Sequence, residues 1–162
     1  DHTLEVCQTV WRETNAHYSS DELQFSNIHQ MPKPRQPGGV PIWVSGTLNR
    51  RVIERVARFG SGWIPWGDDI ADPAKGIRLM RDALEAAGRG DVKLQVTTAL
   101  PAVKGDDGEL DLDRTMEAVP ALVEAGITDF RVYAVPSDPS AARDFLARLV
   151  AAFRPTVGRS SA

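Results

Sequence analysis

Three times in this 162-residue chain a helical apolar stripe ends at a glycine and passes through a short link into a strand-like run. The helix over 49–59 stops at Gly60 before Trp63-Ile64-Pro65-Trp66, a second stops near Gly88 before 92–100, and a third, 113–125, stops at Gly126 before 130–135. Ile42 to Ser45 precedes the first of these helices. Asp138-Pro139 opens a last one, whose stripe is Ala142, Phe145, Leu146, Leu149, Val150 and Phe153. The result is four strands, each followed by a helix. Strict alternation of this kind means α/β with a parallel sheet, because a strand can reach a parallel neighbour only through a long crossover. Two architectures satisfy it, a doubly wound sheet and a (β/α) barrel.

The strands favour the barrel. In 130–135 the apolar Phe130, Val132 and Ala134 suit packing against helices and leave Arg131 and Tyr133 on the opposite face. Likewise Val92, Leu94 and Val96 alternate with Lys93, Gln95 and Thr97. A central strand of a doubly wound sheet is apolar on both faces, whereas this alternation predicts one partly polar face, such as a barrel interior around a ligand. The eight-unit barrel takes ~250 residues, so four units are half of one.

The remaining segments divide around this repeat. Residues 1–14 carry a helical stripe of Leu4, Val6, Cys7, Val10 and Trp11, entered without a methionine, which suggests a trimmed start. Residues 15–40 lose the pattern and end in Met31-Pro32-Lys33-Pro34-Arg35-Gln36-Pro37-Gly38-Gly39, so a connector, extended and irregular, is expected there. Residues 41–157 hold the four βα units. The whole of 1–162 reads as a single partial domain. Asp72-Pro73 and Asp138-Pro139 are predicted as N-cap and first-turn pairs. Pro120 should kink or restart the third helix. The acidic stretch 104–113 reads either as a mobile lid or as a solvated insertion.

Charge narrows the partners. Nineteen Lys and Arg against 22 Asp and Glu, a net charge of −3 and no long basic run argue against nucleic acid and for a small-molecule partner. No apolar run approaches the ~20 residues of a membrane helix, and no leader pattern precedes Leu4, so a cytoplasmic protein is expected. Cys7 is the only cysteine, and His2, His17 and His29 lack the close helical spacing of metal ligands, so no metal site is expected.

The stretch Pro41-Ile42-Trp43-Val44-Ser45-Gly46-Thr47-Leu48-Asn49-Arg50-Arg51 is where chemistry can be placed. Strand, tight turn and helix leave the first helical amides unpaired and aligned with the positive end of the helix dipole. Gly46 lets a ligand approach the backbone, Thr47 adds a hydroxyl, and Arg50 and Arg51 bring positive charge. Either a phosphate binds here or Ser and Thr cap an empty helix end beside two solvated arginines.

Several of these residues recur together in one known family. Trp11, His17-Tyr18 through Phe25, the Pro32-Lys33-Pro34 run with Gln36 and Pro37, Pro41 through Thr47, Gly62-Trp63, and Ala125-Gly126-Ile127-Thr128 resemble the C-terminal half of bacterial luciferase-like monooxygenases in order and spacing. The resemblance implies the C-terminal half, four βα units, of a (β/α)8 TIM barrel binding FMN or the deazaflavin coenzyme F-420 at its C-terminal face, where hydride moves or oxygen is activated. It assigns the cofactor phosphate to Gly46 and Thr47, with Ser45 where the family often has a first glycine and Arg50 where it often has a small residue. Trp63 and Trp66 resemble pocket-lining positions, against their reading as packing aromatics, and Tyr133 joins them from the inward face. The groups facing the reactive ring come mainly from the first four strands of that family, so no catalytic residue is named. The implied partners are a small-molecule substrate and a missing N-terminal half-barrel, or a second copy in a homodimer. Two other readings stay open: a non-catalytic half-barrel binding or assembly module, and a flavin-independent phosphate-binding barrel enzyme.

Overall fold

A computed structural model describes residues 1–36, 39–106, 108–133 and 136–157. Four parallel strands, β3 (Trp43–Gly46), β4 (Gly62–Pro65), β5 (Gln95–Ala99) and β6 (Asp129–Arg131), form one sheet in the order in which they occur in the chain. Between and after them lie α2 (Arg50–Phe59), α3 (Ala74–Ala86), the pair α4 (Leu112–Glu117) and α5 (Val119–Glu124), and α6 (Pro139–Val157). Sequential parallel order with crossovers of one hand puts every helix on the same side of a sheet.

The register shows that side. Val44 pairs with Trp63 and Trp63 with Val96, while Thr98 pairs with Phe130. Because strand side chains alternate, Val44, Trp63, Leu94, Val96, Thr98, Leu100, Phe130 and Val132 all point one way. They meet Val52 and Val56 of α2 and Ile77, Met80 and Leu84 of α3 in one core, and Met116, Val119, Phe145 and Leu149 of α4, α5 and α6 in a second. Phe130 bridges the two and meets the Phe153 ring edge-on at 5.4 Å. The expectation that Phe130 and Val132 face helices while Arg131 and Tyr133 face away is met: both of the latter are exposed, and the guanidinium lies 5.8 Å from the Tyr133 ring centre. Ala134 and Val135, assigned to the same strand by the sequence, lie outside the described residues.

The helix ends follow their residues in two ways. Gly88 and Gly126 adopt φ of +70° and +104°, and the amides after them reach back five residues, Arg89 to the Leu84 carbonyl and Ile127 to that of Leu122. These left-handed C-terminal caps are what glycine permits. Gly60 ends α2 in extended backbone instead. It is glycine for space, since a Cβ there would stand 2.8 Å from the Cα of Val56. Pro120 does restart a helix: α4 ends, Ala118 intervenes, and the proline occupies the second position of α5, where no amide is needed.

Two expectations are corrected. Residues 15–40 are not wholly irregular, for β1 (Ala16–Ser19) and β2 (Gln24–Ile28) pair antiparallel with a bulge between Ala16 and Tyr18. The short polar strands lack an apolar alternation; the hairpin is held by Ser20, whose hydroxyl accepts the Glu22 and Leu23 amides, and by docking on α1 (His2–Arg12). Asp72 is not the cap of α3: Pro73 occupies that position, with no side-chain cap bond. Asp138 does cap α6, accepting the Ala141 amide at 2.8 Å. Within the acidic stretch, for which lid and solvated insertion both stay open, Lys104 is bridged to Leu110, the Asp111 amide donates to the Val103 carbonyl and the Val103 amide to the Thr115 hydroxyl.

Candidate functional site

Parallel strands collect their ligand-binding loops at their C-terminal ends, and β3 ends there at Gly46. Gly46 takes φ +145°, a backbone that side chains rarely adopt, and a Cβ on it would press within 3.2 Å of the Val52 Cγ2. The chain therefore turns tightly off the sheet and into α2. Asn49 caps that helix, its Oδ1 accepting the Val52 amide at 3.1 Å and its Nδ2 donating to the Thr47 carbonyl at 2.9 Å. The amides of Arg50 and Arg51, in the first turn, have no acceptor within the helix. Ser45 and Thr47 are both exposed, and Ser45 lies on the face opposite the helices.

Two neighbours hold the turn. Trp63 donates its indole N–H to the Gly46 carbonyl at 3.0 Å. Asp69, from the 3-10 turn Gly67–Ile70 that follows β4, accepts the Leu48 amide at 2.5 Å. The same segment packs on Thr47, since a Cβ on Gly67 would lie 3.5 Å from the threonine methyl. Asp69 was missed by the sequence reading. Its contribution depends on Pro65 pairing with Gly46, which brings whatever follows β4 alongside the β3–α2 turn.

The residues named from the sequence separate into three groups. Ser45, Gly46, Thr47 and Arg50 share one turn, but the Arg50 side chain is exposed and pairs with Glu54 at 3.5 Å, one helical turn on. Trp66 stands 60% exposed just beyond β4, and Tyr133 73% exposed beyond β6, both past the C-terminal strand ends. Trp63 departs from its pocket assignment: it is fully buried on the helix side, with its six-membered ring against Gly76 of α3. The reason is parity, because Trp63 and Val44 are register partners and Val44 faces α2. A cleft of about 700 Å³ lies elsewhere, between the 104–110 turn and α6, and is rimmed by Lys104, Glu109, Asp144 and Arg148.

Among the described residues no cluster of His, Cys, Asp and Glu could hold a metal, and no helix is long and apolar enough to cross a membrane. A family model described as luciferase-like monooxygenase matches residues 1–152. No curated protein matches the chain.

Proposed function

Because the chain belongs to the luciferase-like monooxygenase family, we propose that it supplies the phosphate anchor and half the wall of a (β/α)8 barrel in a flavin- or deazaflavin-dependent oxidoreductase. Flavin-type oxidoreductase activity follows from the family. The part assigned to these residues rests on the β3–α2 turn above all. Its fit to a phosphate is supported by the tight turn that the positive φ of Gly46 allows, the two first-turn amides of α2, the helix dipole behind them and the exposed Thr47 hydroxyl.

The half-barrel is supported by topology. Four strands in chain order with every helix on one face are what half of an eight-unit barrel requires, and a doubly wound sheet would carry helices on both faces. The opposite face, with Trp43, Ser45, Ile64, Gln95, Arg131 and Tyr133, would then look into the barrel. When bound, FMN or coenzyme F-420 supplies the hydride chemistry. The residues of this chain fix the far end of the cofactor: the turn amides and Thr47 bind its phosphate, Trp63 and Asp69 keep the turn in shape, and Trp66 and Tyr133 shield the pocket mouth from water.

The reading is tested by titrating the complete protein with FMN and with coenzyme F-420 and recording the absorption spectrum. Thr47→Ala combined with Gly46→Val is expected to weaken binding by the equivalent of one or two charge-assisted hydrogen bonds, about 1.5–3 kcal/mol each. Unchanged affinity in that double variant would remove the phosphate from this turn.

A further inference from the structure

We infer that Arg131 and Tyr133, at the C-terminal end of β6, bind the carboxylate of a small organic acid whose apolar part enters the pocket beside the tyrosine ring. This gives the chemical class of the substrate, and it rests on the reading above only in treating the ligand as the substrate. On the sheet face away from the helices, the last side chains of the four strands are Ser45, Ile64, Ala99 and Arg131. Arg131 alone among them carries a charge. It pairs in register with Ala99, and its carbonyl accepts the Leu100 amide at 2.9 Å, so the backbone beneath that charge is fixed to the sheet.

The side chain is aimed as well as placed. Asp129, two positions earlier on the same face, is the nearest acid along the strand, yet its Oδ2 takes the Thr128 hydroxyl at 2.6 Å and forms no ion pair with Arg131. The guanidinium stands instead 5.8 Å from the Tyr133 ring centre, on the C-terminal side, and among the described residues neither an ion pair nor a hydrogen bond engages it. An aromatic ring steadies a guanidinium without using its N–H groups, so the fork that pairs with a carboxylate stays available. The same ring lines a pocket of about 210 Å³ together with Leu100, Ala102, Leu110 and Val132, all apolar. One cation beside an apolar pocket suits a ligand with one negative charge beside an apolar group. A single guanidinium neutralises a carboxylate, whereas it leaves a phosphomonoester dianion with excess charge.

The test titrates the complete protein with hexanoate, hexanamide and acetate by calorimetry. Hexanoate should bind about tenfold tighter than hexanamide, which has the same chain and no charge, and about tenfold tighter than acetate, which has the charge and almost no chain. Arg131→Gln should abolish the first difference. Ala102→Leu, which fills the pocket from an exposed position, should abolish the second, and neither should move the melting temperature. Equal binding of hexanoate and hexanamide, a preference that survives Arg131→Gln, or displacement of hexanoate by an equal concentration of inorganic phosphate would overturn the inference. Titration of the same protein with FMN and coenzyme F-420 is read separately. Cofactor binding without a carboxylate preference refutes the acid site alone, whereas hexanoate held by Arg131 in a protein that binds neither cofactor refutes the flavin reading and, with it, the acid's place as substrate.

Discussion

Trp63 shows how one side chain serves the turn from behind. Its ring fills the space over Gly76, where a Cβ would come within 2.5 Å of it, and its N–H holds the Gly46 carbonyl. Trp63→Ala should cost about 3–5 kcal/mol in urea denaturation, the range for deleting a buried aromatic. Trp63→Phe should retain most of that stability while loosening the Gly46 turn. Asn49→Ala should cost about 1 kcal/mol by removing the cap of α2. That Gly46 and Thr47 form a turn at a helix start was legible in the sequence, because strand, Ser-Gly-Thr and helical stripe are contiguous. Asp69 was not, because twenty-one positions separate it from Leu48 and only the β3–β4 register brings them together.

At the scale of elements, helix ends are tied by distant cations. Arg89, in the link before β5, donates to the carbonyls of Val56, Ala57 and Gly60 at the end of α2. Arg89→Met leaves those acceptors without their charged donor, and a loss of about 2 kcal/mol is expected in thermal or urea unfolding. Lys33 plays the same part for α1, donating to Val10 and Glu13, which gives the proline-rich connector a reason to carry a lysine. The hairpin docks on α1 through the Tyr18 hydroxyl and Glu5, whose other oxygen takes Arg58. The Tyr18 hydroxyl first and Arg58 second lower the Glu5 pKa below its ordinary 4.5. Partial burial and the Glu5 carboxylate raise that of Tyr18 above 10.0. A lowered carboxylate stabilises above its ordinary pKa and loses this as pH falls through the lowered value; a raised phenol stabilises below its ordinary pKa and loses this as pH rises through the raised one. Stability measured by denaturant titration should therefore depend on Glu5 below about pH 4.5 and on Tyr18 above about pH 10, and Tyr18→Phe should abolish the alkaline limb. A limb that survives Tyr18→Phe would belong to another group.

At the scale of the molecule, β3 and β6 are the two edges of the parallel sheet. Next to β6 an apolar groove runs along Leu100, Phe130, Val132, Leu149, Val150 and Phe153. Parallel sheets are rarely stable with an uncovered face and open edges, since unpaired backbone groups and apolar side chains then face water. The 162-residue chain by itself is expected to self-associate or aggregate and to bind cofactor weakly. Sedimentation as a monomer with a cooperative melt and turnover of a substrate would overturn this and make the chain a complete enzyme.

Local chemistry in the chain was enough for the alternation of strands and helices, the Pro120 restart, the Asp138 cap, the helix stops at Gly88 and Gly126 and the helix-facing and opposite faces of 130–132, because each depends on neighbours a few positions away. The hairpin in 15–40, the packing role of Gly60, the burial of Trp63 and the carboxylate of Asp69 at the turn were decided by tertiary structure. All four depend on contacts between segments, and register is their common cause: shifting a strand by one residue exchanges its faces, so the same tryptophan can line a pocket or fill a core. Pairing Val44 with Trp63 put that ring among the helices, and pairing Gly46 with Pro65 put the Asp69 carboxylate beside the β3–α2 turn.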